Sequence, residues 1–218
     1  MDQLNSRYHL DVACAYIRGS LTVAPAVPDE ELFQHGLAAG LRLHKFKRMS
    51  LLPRVSRVFG YLHQLIPQDL LDIGTGRGAF LWPLLGEFKN LRIHCMDVRN
   101  DRVRDIRAVS SGGITRLTAE VGDVTRLPMA NASVDGVTML EVLEHLADPE
   151  RAIAETLRVS RRFVIVSVPS KPDDNPEHIH LFTERKLTAL FQRAGVSRIS
   201  IDHVLNHMVA LATVKGDS

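Results

Sequence analysis

Cysteine is scarce in this chain: two residues, Cys14 and Cys95, in 218. Two thiols so far apart make neither a disulfide framework nor a metal-ligand spacing. No apolar run approaches the roughly 18–20 residues that a membrane span requires. The opening MDQLNSRYHLDVACAYIRG has polar and acidic groups where a secretory leader has a basic start and an apolar core. A cytoplasmic location is therefore expected. Repeats and low-complexity tracts are also missing. Acidic residues vanish between Leu32 and Gln68, whereas Arg42, Lys45, Lys47, Arg48, Arg54 and Arg57 all fall there. With a net charge of +2 and a pI near 8.7, the chain as a whole is mildly basic. The stretch 42–57 is either a patch for an anionic substrate, RNA or a membrane surface, or simply the solvated side of two helices.

What is present is ordinary for a globular protein: 45% hydrophobic and 24% charged residues, enough for one domain with a modest extension. Residues 1–24 carry a helical stripe of Leu10, Cys14 and Ile17, and Pro25 and Pro28 then break the chain. Asp29 is expected to cap a helix running to about Arg48, with Leu32, Phe33, Gly36, Leu37, Ala39, Leu41, Leu43 and Phe46 on its apolar face. A second helix opens at Ser50, has Pro53 in its first turn, and points Val55, Val58, Phe59, Leu62, Leu65 and Ile66 inward. Residues 1–66 thus read as a helical extension, or lid, on a domain spanning 67–218. From Asp69 onward, seven strand patterns alternate with helical ones, and the last two strands are joined by a short polar turn. This order predicts an α/β fold with a doubly wound, mostly parallel seven-stranded sheet ending in an antiparallel hairpin.

One segment organises that domain: LLDIGTGRGAF, Leu70 to Phe80. An apolar strand runs into Gly74, Gly76 and Gly78, which can take φ > 0 and admit a ligand to bare backbone. The first N–H groups of the following helix are unpaired and suit an anionic or polar ligand group. Three readings stay open on this segment alone. It is a tight βα turn, or a dinucleotide fingerprint with Asp97 as the ribose acid, or an Asp-x-Gly-x-Gly-x-Gly turn from Asp72 to Gly78.

Four segments in order, LDIGTGRGAF, HCMDV, GDVTRLPMANASVDGV with MLEVLEHLADPERAIAE, and PEHIHLFTERKLTALFQRAG, resemble class I S-adenosylmethionine (SAM)-dependent methyltransferases over roughly residues 69–214. The resemblance is to the broad small-domain group that includes ubiquinone-pathway O-methyltransferases. It implies a Rossmann-like fold, SAM as methyl donor and S-adenosylhomocysteine as product. By this resemblance Gly74, Thr75, Gly76 and Gly78 form the SAM turn, and Asp72 faces the methionine end. Asp97 and the adjoining Val98 serve the ribose, its carboxylate accepting both hydroxyls as charge-assisted hydrogen bonds. Asp123 and Val124 resemble the adenine clamp. Asp97 also reads as an N-cap and Asp123 as a turn aspartate. Asp135 belongs to the turn before the fourth strand, whose start its side chain can hold.

Glu141 ends that fourth strand at the carboxyl edge, where open sheets bind ligands. If 141–145 is a helical turn, Glu141, Glu144 and His145 share a face. That face is an acid–base set, or three metal ligands with His178 or His180 as a fourth, or a structural pairing. Glu-x-x-Glu-His with a later His resembles the metal site of small-RNA 2′-O-methyltransferases. The Leu181-Phe182-Thr183 that follows departs from their pattern, so no metal is assigned. No Asn-Pro-Pro-Tyr turn follows the fourth strand, and no cysteine lies at a strand end, as base-amino and cytosine-C5 methylation would need. His145 is the leading proton acceptor, with Glu141 orienting it, and His180 is second. A hydroxyl of a small molecule is the expected acceptor. Alternatives are RNA or a quinone with a divalent metal, or a non-catalytic partner subunit; a NAD-type oxidoreductase fits less well.

Overall fold

The computed structural model describes residues 2–24 and 26–214, so Pro25 lies outside the described residues. In order, the elements are helices α1 (Asp2–Arg7), α2 (Leu10–Ser20) and α3 (Asp29–Ala38), a 3₁₀ turn (Leu43–Phe46), α4 (Pro53–Leu65), strand β1 (Asp69–Ile73), α5 (Leu81–Glu87), β2 (Arg92–Asp97), α6 (Asn100–Ser111) and β3 (Leu117–Val121). There follow β4 (Val134–Leu140), a 3₁₀ turn (Leu143–His145), α7 (Pro149–Val159), β5 (Ser160–Pro169), α8 (Glu184–Arg193), β6 (Arg198–Val204) and β7 (His207–Thr213). The seven strands form one sheet in the order β3-β2-β1-β4-β5-β7-β6. The pairs β1–β4, β4–β5 and β2–β3 are parallel, and β7 is antiparallel to both β5 and β6. The predicted mostly parallel sheet with a terminal hairpin is therefore present. Among the described residues, no helix is long and apolar enough to cross a membrane.

The chain divides into two compact units: residues up to Leu51 with Thr75–Val121, and Leu52–Gly74 with the residues from Gly122 onward. In the first unit α2 buries Val12, Ala13, Cys14 and Ile17, and α6 buries Val103, Ile106 and Val109. These two helices meet at glycine. A Cβ on Gly112 would fall 1.7 Å from Ala15 O, and one on Gly19 1.9 Å from Ala108 O. The Phe46 ring packs 5.1 Å from both Tyr16 and Trp82. Burial, then the neighbouring Asp29 charge, pushes the Cys14 thiol up to about 12, so it is an inert core residue.

In the second unit every residue of β5 from Phe163 to Val168 is buried, as a strand covered on both faces requires. Its Phe163 ring fills the space over Gly136, where an added Cβ would lie 2.1 Å from the ring. Helix α7 starts with Pro149 after Asp148, whose carboxylate accepts the Arg151 N–H at 2.8 Å. Thr183 caps α8 in the same way, accepting from the Lys186 N–H at 3.2 Å. Helix α4 buries Val55, Val58, Phe59, Tyr61 and Leu62, and its Arg57 and Tyr61 both donate to Asp202 of β6.

Four local expectations are corrected. The helix from Asp29 stops at Ala38, because Gly40 takes φ +74° and turns the chain into the 3₁₀ turn. Leu37, expected inward, is 48% exposed, and Asp29 sits inside the helix behind Pro28 instead of capping it. Ile66 is also outward at 76% exposure, since it closes α4 in the left-handed conformation at φ 47°.

Candidate functional site

The carboxyl ends of the strands carry most of the residues singled out from the sequence. In the second unit Asp72, near the end of β1, is 2% exposed and accepts the Thr138 hydroxyl at 2.9 Å. Gly74 follows at φ +70°, and a Cβ there would lie 2.3 Å from Val142 Cγ2, so glycine is required both by conformation and by space. In the first unit Thr75 is buried, Gly76 and Gly78 take φ +60° and +82°, and the Gly76 N–H donates to Asp97 Oδ2 at 3.2 Å. Asp97, at the end of β2, is 3% exposed; Arg102 donates to its Oδ2 at 3.2 Å, and the Arg99 N–H to its Oδ1 at 3.0 Å. Val98 beside it is 70% exposed, an apolar side chain held out at the strand end.

Asp123 and Val124 follow β3 in the second unit. The Asp123 Oδ1 accepts both the Thr125 N–H and its hydroxyl, each at 2.8 Å, while Val124 is buried. These contacts fix the turn and leave the outer carboxylate oxygen to other partners.

The Glu141–His145 segment departs from expectation in a specific way. The 3₁₀ turn begins only at Leu143, and Glu141 precedes it at φ +58°, left-handed backbone in a residue with a full side chain. Such a conformation costs about 1–3 kcal/mol and persists where its surroundings over-determine it. Here the Glu141 N–H donates to Ser167 O at 3.0 Å, and the Ser167 hydroxyl donates to Glu141 Oε1 at 2.6 Å. Arg54 Nε lies 3.7 Å from Oε1, and His207 Nε2 lies 3.0 Å from Oε2. Glu141 therefore does not share a face with Glu144 and His145, because its reversed backbone swings the carboxylate toward α4 and β7.

Glu144, by contrast, is fully buried, and neither carboxylate oxygen has a hydrogen-bond partner among the described residues. Burial, with the nearby Glu141 charge adding to it, pushes its pKa up to about 8. One ligand atom each from Glu144, His145 and His178 lie within 4.8 Å of one another. His145 Nδ1 is 2.9 Å from Glu177 O, and a carbonyl only accepts, so Nδ1 carries the proton and Nε2 keeps a lone pair. His178 Nδ1 is 2.8 Å from Asp173 Oδ2, which leaves its Nε2 in the same state. The loop bearing His178 is pinned by the Ile179 and His180 N–H groups, both donating to Glu144 O. His180 stands apart from this group, its Nε2 donating to Leu146 O at 2.9 Å.

The basic stretch is largely occupied within the chain. Lys45 pairs with Asp105 and sits 4.3 Å over the Tyr16 ring, and Arg48 donates to Asn5 O and Tyr8 O. Arg54 faces Glu141, and Arg57 donates to Asp202 at 2.5 Å. Ser167 and His207 were not singled out by sequence reasoning, and Arg54 was noted only as part of the basic stretch. Their partner Glu141 is far from each along the chain, and no local pattern announces the meeting.

Residues 71–165 match the family model described as a methyltransferase domain. Over that segment the chain is similar to SAM-dependent methyltransferases. A protein of Mycolicibacterium smegmatis, described as a probable S-adenosylmethionine-dependent methyltransferase, is 29% identical over 61% of this chain and 53% of its own length. A malonyl-[acyl-carrier protein] O-methyltransferase of Hahella chejuensis is 32% identical over 44% of this chain and 33% of its own. The chain thus spans about half or less of the length of these relatives. The structure of a SAM-dependent methyltransferase from Aquifex aeolicus superposes with a TM-score of 0.62 at 19% identity, covering 76% of this chain and 91% of that one. That likeness shows the fold.

Proposed function

We propose that this chain moves the methyl group of SAM to a hydroxyl of a small molecule, releasing S-adenosylhomocysteine. The observation that carries the reading is the turn after β1, where three successive alternate glycines take positive φ next to buried acids. In this reading Asp97 takes the ribose diol, Asp72 the methionine ammonium, and Asp123 the adenine amine, with Val98 and Val124 as apolar flanks. The sulfonium is already an activated electrophile, so alignment of an oxygen lone pair behind the methyl carbon supplies most of the acceleration. The internal pairing of Lys45, Arg48, Arg54 and Arg57 favours a small acceptor over nucleic acid. Residues 1–66 act as the lid over that acceptor. Calorimetry should give binding of S-adenosylhomocysteine and SAM at tens of micromolar or tighter and none of NAD. Absence of binding by either SAM-derived compound removes the reading, and Asp97→Ala should weaken it at least tenfold.

A second reading adds a divalent cation held by Glu144, His145 and His178, and the unpartnered buried carboxylate of Glu144 favours it. The residues fit. Two imidazoles offer Nε2 while their Nδ1–H groups are oriented by a carbonyl and a carboxylate, as is usual behind metal ligands. One carboxylate with two imidazoles suits zinc, manganese or iron(II) better than magnesium. A bound ion would polarise an acceptor hydroxyl. Zn²⁺ and Mn²⁺ should each raise the melting temperature of chelator-treated protein, and Glu144→Gln should abolish that rise; equal rises in both proteins would discard the site.

A further inference from the structure

Methylating a hydroxyl requires somewhere for its proton to go, and the two imidazoles first considered are poorly suited. His145 has one ring nitrogen within 4.8 Å of ligand atoms of Glu144 and His178, and both His145 and His180 are oriented by neutral carbonyls that give an imidazolium little support. A third imidazole stands at the same edge of the sheet. His207 begins β7 directly opposite Pro169, the last residue of β5. Its Nε2 lies 3.0 Å from Glu141 Oε2. An ionised carboxylate only accepts, so Nε2 carries the proton and Nδ1 holds the free lone pair.

Glu141 is itself held on three sides. The Ser167 hydroxyl donates to Oε1, Arg54 lies beside the same oxygen, and the left-handed backbone at φ +58° is tied by the Glu141 N–H to Ser167 O. The side chains of His207 and Glu141 are 24% and 23% exposed, open enough to meet a solute and sheltered enough to keep their geometry. The other histidine–carboxylate pairs lack this placement. His35–Glu31 and His203–Glu184 are about half exposed or more, His94 lies within β2, and His178 belongs to the Glu144 group.

We propose that His207, oriented by Glu141, accepts the proton of the acceptor hydroxyl during methyl transfer. The inference rests on the SAM reading given above. An oxygen lone pair of the acceptor forms the new bond to the methyl carbon, and the carbon–sulfur bond breaks with its electrons going to sulfur. The hydroxyl proton passes to His207 Nδ1. The resulting imidazolium keeps its Nε2–H on Glu141, which stays ionised, and later gives the Nδ1 proton to water. Glu141 is on this view a positioning residue, and Arg54 and Ser167 hold it in register.

The test has two arms on the full chain. In the first, ¹⁵N-histidine NMR at neutral pH should show His207 as the Nε2–H tautomer, and Glu141→Gln should release it into a tautomer mixture. A protonated Nδ1, or an unchanged pattern in Glu141→Gln, overturns the proposal without any acceptor being known. In the second, tritium transfer from methyl-labelled SAM is measured with catechol and 3,4-dihydroxybenzoate as probes. His207→Gln should lower kcat by about 10²-fold or more, partly restored by added imidazole, with S-adenosylhomocysteine affinity within about twofold of the unaltered chain. A kcat within threefold, or loss in His145→Ala equal to that in His207→Gln, overturns it. If neither probe is methylated, the NMR arm decides. Failure of the unaltered chain to bind S-adenosylhomocysteine would instead discard the SAM reading, so the two failures are told apart.

Discussion

The two ends of the strands in the second unit treat carboxylates in opposite ways. At the amino ends, Asp135 accepts the Gln68 N–H at 2.8 Å and Arg161 at 3.0 Å, and Asp69 accepts both the Asp135 N–H at 2.6 Å and Arg161 at 2.9 Å. Burial alone would raise the Asp135 pKa, but the Gln68 amide, Arg161 and Arg162 together outweigh it and hold the group below the ordinary carboxylate range. At the carboxyl ends, Glu144 is buried without a partner and pushed the other way. The lesson is that, among the described residues, the one buried carboxylate left without a hydrogen bond stands at the edge that open α/β sheets use for binding, beside a well-paired Glu141.

The largest break in this contrast comes from pH. Glu144 has a folded pKa of about 8 against an ordinary 4.5, so metal-free protein is favoured by it fully below about pH 4.5. That contribution falls as pH rises through the window and is gone above about pH 8, a swing on the order of 5 kcal/mol. Urea unfolding from pH 5 to 9 in chelator should show the decline, and Glu144→Gln should flatten it. Asp135 has the opposite sign: its stabilisation is present above the unfolded carboxylate pKa and lost as pH falls through the lowered folded value. Asp135→Ala leaves the Gln68 amide without its acceptor and Arg161 with Asp69 as its remaining carboxylate, and should cost about 2 kcal/mol at pH 7 by the same unfolding measurement. Ser167→Ala removes one of the hydrogen bonds on Glu141 and should cost about 1 kcal/mol. The exposed Arg193–Glu150 pair sets the floor, and Arg193→Ala should change stability by less than about 0.5 kcal/mol.

Much of the fold was legible because its signals are local. The bounds of β4 and α7 follow from an unbroken apolar run and from Asp148-Pro149 at a helix start. The glycine turn was legible for the same reason: each of its glycines has a local conformational cause. What escaped was pairing at a distance. Nothing near Gly19 or Gly112 in the sequence announces that each backs onto the other helix's carbonyl. The helical period placed Leu37 inward, yet Gly40 ends α3 before that face is covered. The period likewise grouped Glu141 with Glu144, and one backbone dihedral at Glu141 separates them. A sequence pattern assumes regular backbone, and the site departs from regularity at that residue.

The reversed direction of β7 has a consequence during synthesis. Because it runs antiparallel to β5, its first residue, not its last, stands at the ligand edge. A ribosome reaches His207 66 residues after Glu141, counting 207 minus 141. A nascent chain stopped before β7 can pair β1, β4 and β5 but leaves one flank of β5 bare and Glu141 without His207. Parallel pairs such as Leu70 with Gly136 already close long loops and form slowly. Strand β7, which inserts between β5 and β6, therefore both covers the flank of β5 and completes the Glu141 cluster, so this cluster forms only once that part of the sheet is closed.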